Sequence, residues 1–161
     1  MINIKHLLFY FIISTIFGFG YNFLIIDGIP IIATPLETVS NAVNLSEPNT
    51  EPMIREISLE TAIELHDKGV LFVDARAEEY LEDGFIPGAI ANDNIELLHD
   101  DLEQKLGYDT AFVVYCSDDD CGSSEEMAFD LQDMGFMNIL VFKGGWKSWT
   151  ESNLPVQLKD E

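Results

Sequence analysis

The longest apolar segment of the chain lies near its N-terminus, where residues 7–26 contain no charged side chain. As a helix this segment would be about 30 Å long, which matches the hydrocarbon core of a bilayer. It is apolar on every side, whereas the helix of a soluble domain is usually apolar on one face. It is also longer than the apolar part of a typical signal peptide, and no A-x-A cleavage pattern follows it. We therefore predict a membrane anchor over residues 1–28, with a cleaved signal peptide as the alternative.

The charges that flank the apolar segment predict its orientation. Lys5 and the amino terminus precede it, and Asp27 is the first charge after it. Positive charge is retained on the cytoplasmic side of a membrane. The rest of the chain is therefore expected outside the cytoplasm, in a periplasmic or extracellular space, and it would be secreted if the segment were cleaved.

Residues 29–53 differ in composition from both of their neighbours. They hold four of the six prolines of the chain, among Thr, Ser, Asn and Glu. Proline cannot donate a backbone hydrogen bond and interrupts both helices and strands. We predict a Pro-rich linker here, with neither helix nor sheet.

From residue 54 onward, short apolar runs alternate with stretches of helical spacing. The apolar runs, typical of strands buried on both faces, are residues 70–74, 89–91, 111–115 and 138–142. The helical stretches are residues 58–68, 94–106, 124–134 and a short one that starts at residue 144. Ser58 is predicted to cap the first helix, and Ser123 with Glu126 is predicted to form a capping box. This alternation predicts an α/β domain over residues 54–161, with a parallel sheet flanked by helices.

The charge of the chain is strongly negative and lies mostly in the predicted domain. The formal net charge is −21, and residues 51–161 hold 26 of the 29 acidic side chains and 7 of the 8 basic ones. Such a surface repels nucleic acids and anionic lipid headgroups. We therefore expect no nucleic-acid partner and no docking to membranes through a basic patch. Residues 7–26 are the part of the chain that is expected to contact a membrane.

The candidate chemistry is concentrated in one loop. Cys116 ends the apolar run 111–115, and the segment after it leads into a predicted helix. A strand end in front of a helix N-terminus is a position where α/β folds present a reactive thiolate. The second of the two cysteines, Cys121, lies in the same loop. A structural disulfide, a redox pair and a catalytic thiol all remain open for these two residues.

Four segments, in order, resemble the rhodanese-like domain family. They are the D-A-R motif at 74–76 with Glu79 and Tyr80, the G-F-I-P-G-A-I segment at 84–90, the Tyr-Cys pair at 115–116, and the G-G-W-K-S-W segment at 144–149 followed by Leu-Pro at 154–155. Any one of these motifs is weak evidence, whereas four in the family's order indicate the fold. The resemblance covers approximately residues 54–157.

The resemblance implies a sulfurtransferase that needs no cofactor and no metal. Cys116 would attack the outer sulfur of a sulfane donor, become a persulfide, and pass that sulfur to a thiol acceptor. The donor would be a small sulfur compound or a protein persulfide. The resemblance also implies that the loop N–H groups hold the persulfide charge and that three further residues, Asp74, Arg76 and Ser124, support the site. The loop residues are Ser117, Asp118, Asp119, Asp120, Cys121, Gly122 and Ser123.

The loop departs from the commonest pattern of the family. It contains three aspartates and no basic residue, and Glu125 and Glu126 follow it directly. These carboxylates are expected to raise the pKa of Cys116 and to repel dianionic thiosulfate, so that a neutral or cationic donor, a polysulfide or a protein persulfide fits better. Gly122 stands where phosphatase relatives carry an arginine, which argues against phosphatase activity. The loop is similar to a longer C-x4-C variant of the family.

Two classes of function therefore remain. One is a sulfurtransferase or persulfide carrier at the outer face of a membrane. The other is a non-catalytic or redox-sensing module in which Cys116 and Cys121 cycle between dithiol and disulfide. Within the first class, Cys121 either resolves the Cys116 persulfide with release of hydrosulfide or is an incidental thiol.

Overall fold

The computed structural model describes residues 4–24, 36–39, 51–92, 94–118 and 120–159. The chain divides into two compact units, residues 1–35 and residues 36–161. Within the described residues, the first unit contains the helix α1 (Ile4–Leu24), and the second contains an α/β domain.

Helix α1 has the length and composition that a membrane span requires. Its window Ile4–Asn22 has a mean hydropathy of 1.4, and none of the window is buried. The hydroxyl groups of Ser14 and Thr15 both donate to the Phe11 carbonyl oxygen, at 2.9 and 2.7 Å, so these polar groups are satisfied within the helix. A membrane anchor and a signal sequence both fit these properties. Residues 1–3 and 25–28 of the predicted anchor lie outside the described residues.

The sheet of the domain has five parallel strands in the order β1-β2-β5-β4-β3. The strands are β1 (Glu37–Val39), β2 (Met53–Ile57), β3 (Phe72–Asp74), β4 (Phe112–Tyr115) and β5 (Asn138–Phe142). Because all five run in the same direction, their carboxyl ends meet at one edge of the sheet. Strands β4 and β5 are buried throughout, as the continuous apolar runs predict. The predicted α/β class and the parallel sheet are confirmed.

Within the described residues, three α-helices and one 3₁₀ helix lie between the strands, and a fourth α-helix follows the last strand. They are α2 (Leu59–Asp67), the 3₁₀ helix Glu78–Asp83, α3 (Ile95–Leu106), α4 (Ser123–Asp133) and α5 (Gly145–Glu151). The two faces of the sheet carry separate cores. On one face, Trp149 of α5 and Leu65 of α2 pack with Phe72. On the other face, Leu102 of α3 and Leu131 of α4 pack with Phe136.

Two strands at one side of the sheet were not expected from the sequence. Strand β1 lies inside the predicted Pro-rich linker and pairs with β2, so the expectation that residues 29–53 contain no sheet is wrong at Glu37–Val39. The physical reason is that no proline interrupts residues 36–47. Strand β2 lacks a continuous apolar run because Arg55 and Glu56 interrupt it, although it pairs with β5 along four residues.

The predicted strand at residues 89–91 is reduced to a single bridge between Ile90 and Val73. Ile90 N–H donates to the Phe72 carbonyl, and Asp74 N–H donates to the Ile90 carbonyl. These two hydrogen bonds join one residue to the edge strand β3 without extending the sheet.

Of the two helix caps predicted from the sequence, one is confirmed and the other is wrong. Ser58 caps α2, and its hydroxyl accepts a hydrogen bond from Thr61 N–H at 3.3 Å. The predicted capping box of α4 is wrong, because the N-cap is Gly122 and, within the described residues, no side chain caps that helix. Ser123 therefore occupies the first helical position, from which its side chain cannot act as an N-cap.

Replacing Ser58 by Ala is expected to lower the free energy of unfolding by about 1 kcal/mol, because an amide at the start of α2 loses its acceptor. Ser123→Ala is the matched control, and a change within about 0.5 kcal/mol is expected for it. Urea unfolding of the full chain in detergent, followed by tryptophan fluorescence, measures both values. Equal losses for the two variants would contradict the assignment of the caps.

Candidate active site

Cys116 lies at the carboxyl edge of the sheet, directly after the buried strand β4. Strand β4 pairs with β3 on one side and β5 on the other, so the cysteine follows an internal strand. Its side chain is buried, with 3% of the residue exposed. The loop after it leads into α4, which begins at Ser123. The structure thus places the predicted nucleophile at a strand end in front of a helix N-terminus.

Cys116 and Cys121 form a disulfide, with their Cα atoms 6.2 Å apart. This pairing was one of the alternatives that the sequence left open. Both cysteines of the chain are used in it, so neither thiol is free. Cys121 is only half-buried, in contrast to Cys116. In this oxidised state the loop offers no thiolate, and nucleophilic chemistry at Cys116 requires reduction first.

The loop has its own internal hydrogen bonds. Cys121 N–H donates to the Asp118 carbonyl at 3.1 Å, and Asp120 N–H donates to the Asp118 carboxylate at 3.2 Å. These bonds bring Cys121 back toward Cys116. At the start of α4, the N–H groups of Ser123 and Ser124 precede the first intrahelical bond, which Glu126 N–H donates to the Gly122 carbonyl.

The carboxylates around the loop differ in whether a positively charged side chain lies next to them. Glu125 forms an ion pair with Lys143 at 2.6 Å, and Lys143 also lies 3.5 Å from Glu56. The hydrogen bond to Glu125 raises the pKa of Lys143 and keeps this lysine charged. Asp118 is half-buried and Asp120 is exposed. Asp119 lies outside the described residues.

Asp74 and Arg76 form a buried ion pair at the end of β3. Arg76 donates from Nε to Oδ1 of Asp74 at 3.0 Å and from Nη2 to Oδ2 at 2.7 Å, which is a bidentate geometry. The same Nη2 also donates to the Gly84 carbonyl at 2.7 Å. The guanidinium lies 4.5 Å from the ring of Trp146. Arg76 is thus held by contacts within the fold, and its role in supporting the site stays a prediction.

Tyr115 completes this buried network, and sequence reasoning missed it. Its hydroxyl donates to Oδ2 of Asp74 at 2.5 Å and accepts a hydrogen bond from Ile86 N–H at 3.1 Å. Burial and the charge of Asp74 raise the pKa of Tyr115 far above its ordinary value, so the hydroxyl keeps its proton. A tyrosine that immediately precedes the candidate nucleophile was the available signal in the sequence.

The first turn of α5 holds the backbone of Cys116 in place. Trp146 N–H donates to the Cys116 carbonyl at 2.8 Å, and Lys147 N–H donates to the Ser117 carbonyl at 2.9 Å. Gly145 adopts a φ of +54°, and a Cβ atom at this position would collide with the Cys116 carbonyl. Only glycine allows so close an approach at this φ value.

A cleft of about 350 Å³ lies beside the loop. The cleft is lined by the Asp74–Arg76 ion pair and by the first turns of α4. The lining residues include Asp74, Arg76, Ser123, Glu126, Met127 and Asp130. The cleft therefore combines apolar surface with two exposed carboxylates, Glu126 and Asp130, one turn apart on α4. Ser124 is buried in the same turn of α4.

The predicted site residues therefore form one region at the carboxyl edge of the sheet. Cys116 is bonded to Cys121, and both lie in the loop between β4 and α4. Among the described residues, a group that could hold a metal ion lies elsewhere, on α3, where ligand atoms of His99, Asp100 and Glu103 are within 4.8 Å of one another. His99 already contacts Asp100 and Tyr108, and exposed acidic groups often lie together without a metal.

Comparison with known proteins identifies the domain. The model of the family described as "Rhodanese-like domain" matches residues 58–152. A protein from Bacillus halodurans is similar in structure, with a TM-score of 0.55 and 23% identity over 64% of this chain and 76% of its own. A rhodanese-related protein from Thermoplasma volcanium has a TM-score of 0.53 and 28% identity over 65% of this chain and 99% of its own.

A thiosulfate sulfurtransferase from Pseudomonas aeruginosa is also similar, with a TM-score of 0.54 and 22% identity. The match covers 67% of this chain and 20% of that protein, so this likeness concerns the fold alone. No curated protein matches the chain.

Gly145→Ala is expected to lower the free energy of unfolding by about 2–4 kcal/mol, because strain at positive φ adds to a collision with the Cys116 backbone. Gly69→Ala is the matched control: Gly69 also has a positive φ, but a Cβ there would meet nothing within 4 Å. The control is expected to lose about 1–2 kcal/mol. Urea unfolding followed by tryptophan fluorescence suits this test, since both tryptophans lie on α5. Equal losses would show that the approach of α5 to Cys116 is not tight.

Proposed function

The chain belongs to the rhodanese-like domain family, and from this premise we propose that its reduced form is a sulfurtransferase or persulfide carrier that uses Cys116. The observation that carries the proposal is the placement of Cys116 at the end of an internal strand, with its carbonyl held by Trp146 N–H and α4 ahead of it. This arrangement fixes the nucleophile against a helix N-terminus, where negative charge is favoured.

The proposed reaction begins with the Cys116 thiolate. Its sulfur attacks the sulfane sulfur of the donor and forms a new S–S bond. The bond between the sulfane sulfur and the rest of the donor breaks, and the leaving group departs with the electron pair. For thiosulfate the leaving group is sulfite. The persulfide that remains on Cys116 carries a negative charge, which N–H groups at the start of α4 would stabilise.

The charges at the site favour a donor other than thiosulfate. The Arg76 guanidinium is neutralised by Asp74 and the Lys143 ammonium by Glu125 and Glu56. Asp118 and Asp120 remain on the loop itself, and Glu126 lines the neighbouring cleft. A dianion approaching this region meets repulsion that a neutral organic polysulfide or a singly charged protein persulfide meets less strongly. The proposed donor is therefore a polysulfide or a protein persulfide, and the proposed acceptor is a thiol.

We place the domain outside the cytoplasm, attached to a membrane through α1. The length of α1 and the charges at its two ends support this placement. The Cys116–Cys121 disulfide is consistent with it, because disulfides persist in oxidising compartments. Secretion after cleavage of α1 is the alternative.

A second candidate function is a thiol–disulfide redox module that carries no sulfur. The observation that favours it is the disulfide itself, which occupies both thiols of the chain. In such a module the loop would alternate between dithiol and disulfide, and the neighbouring carboxylates would have no donor to repel. Sulfur uptake by the reduced chain distinguishes the two functions.

Cys116→Ser is expected to abolish sulfur uptake, because the proposed mechanism has no other nucleophile in contact with the donor. The full chain in detergent is reduced, freed of reductant and treated with thiosulfate or polysulfide, and the sulfur bound to its peptides is measured by mass spectrometry. Cys121→Ser is the control and should retain sulfur on the peptide that contains Cys116. Uptake by Cys116→Ser equal to that of the control would refute the mechanism.

Asp118→Asn is expected to lower the pKa of the Cys116 thiol, because removing a negative charge makes the thiolate less unfavourable. Asn keeps an oxygen that can accept the hydrogen bond from Asp120 N–H. For a separation of about 7 Å, the rate with thiosulfate should rise about threefold to eightfold.

The pH dependence of alkylation by iodoacetamide, in a Cys121→Ser background, measures this pKa. Asp133→Asn, at the far end of α4, is the matched control and should leave the profile unchanged. Identical profiles for the two variants would mean that solvent and salt screen Asp118 from the thiol.

A further inference from the structure

We infer that Cys121 discharges the Cys116 persulfide, releasing hydrosulfide and closing the Cys116–Cys121 disulfide. The domain would then reduce sulfane sulfur to hydrosulfide at the expense of an external dithiol, instead of only carrying sulfur to an acceptor. This inference rests on the proposed function, because it requires a persulfide on Cys116.

The disulfide shows that the Cys121 sulfur reaches the Cys116 sulfur within the folded loop. The hydrogen bond from Cys121 N–H to the Asp118 carbonyl holds the returning part of the loop in this arrangement. The chain has no third cysteine, so Cys121 is the one internal thiol available to the persulfide. An internal thiol at contact distance has a high effective concentration compared with a thiol in solution.

The burial of Cys116 also favours an internal acceptor. Only 3% of Cys116 is exposed, and its carbonyl is covered by the first turn of α5. An external thiol therefore reaches the outer sulfur of the persulfide more readily than the inner sulfur, and it has less access to the inner sulfur than a thiol inside the loop. Cys121 is half-buried and can reach the inner sulfur from within the loop.

The discharge is an exchange between the Cys121 thiolate and the Cys116 persulfide. The Cys121 thiolate attacks the inner sulfur of the persulfide, which is the Sγ atom of Cys116. The bond between this atom and the outer sulfur breaks, and the outer sulfur leaves with the electron pair as hydrosulfide after taking up a proton. The new bond is the Cys116–Cys121 disulfide. The sulfane sulfur has gained two electrons, and the two cysteines have lost them.

The same difference in burial sets the direction of the reduction that follows. Cys121 is the less buried of the two cysteines, so one thiol of an external dithiol attacks the Cys121 sulfur. The electron pair of the disulfide goes to Cys116, which leaves as the thiolate and is again the nucleophile. The second thiol of the dithiol then attacks the mixed disulfide and releases Cys121. With thiosulfate as donor, one thiosulfate and one dithiol give sulfite, hydrosulfide and one oxidised dithiol.

A single-turnover experiment tests the discharge. The full chain in detergent is reduced, freed of reductant under anaerobic conditions, and treated with excess thiosulfate or polysulfide. The wild-type chain should end as the disulfide, with the loss of two hydrogens and no sulfur retained. With thiosulfate, it should also release one hydrosulfide per chain. Cys121→Ser should gain one sulfur atom on Cys116 and release hydrosulfide only after a thiol is added. Wild-type chain without a donor should remain the dithiol.

The outcomes separate this inference from the proposed function. A wild-type chain that keeps sulfur on Cys116 beside a free Cys121 thiol overturns the inference and leaves the persulfide carrier standing. Failure of both the wild-type chain and Cys121→Ser to take sulfur from either donor overturns the proposed function, and the inference with it.

The direction of reduction has its own test. The oxidised chain is treated with limiting glutathione, quenched with iodoacetamide and mapped by peptide mass spectrometry. Glutathione should be found on Cys121 and the carbamidomethyl group on Cys116. The reverse labelling would overturn the assignment of Cys121 as the residue that receives the reductant.

Discussion

The contact on which the rest of the site depends is the approach of α5 to the backbone of Cys116. Trp146 and Lys147 donate their N–H groups to the carbonyls of Cys116 and Ser117, and Gly145 makes that approach possible. These carbonyls belong to the residues that leave β4, so the bonds determine where the cysteine side chain begins. A reactive sulfur that must meet both a donor and a second thiol benefits from a backbone that does not move.

The buried network of Asp74, Arg76 and Tyr115 extends this constraint to the other side of the site. Arg76 links the end of β3 to the Gly84 carbonyl and to the Trp146 ring, so β3 and α5 share one cation. Because Asp74 neutralises Arg76 within this network, the arginine does not offset the negative charge of the site. The carboxylates of the loop and cleft therefore determine the charge that an approaching substrate meets. The same charge pattern disfavours the approach of a dianionic donor from solvent, whereas Cys121 already belongs to the loop and reaches Cys116 without such an approach.

Much of the fold could be predicted from the sequence because the central strands are continuous apolar runs and the helices have clear spacing. Strand β2 could not, because Arg55 and Glu56 interrupt it. Within the site, the motifs indicated Cys116 and the supporting pair Asp74 and Arg76. The hydroxyl contact of Tyr115 with Asp74 was not predictable, since it joins residues 41 positions apart in the sequence. The Cys116–Cys121 disulfide was one of several alternatives, and the sequence alone does not fix the redox state.

In the proposed function, Cys116 takes up sulfur only when the Cys116–Cys121 disulfide is reduced. The most direct measurement compares the oxidised and the reduced wild-type chain, in detergent and without added thiol, for the removal of sulfane sulfur from thiosulfate and from polysulfide. The reduced chain should remove sulfur from at least one donor, and the oxidised chain should remove none. Equal removal by both forms, or none by the reduced form, would contradict it.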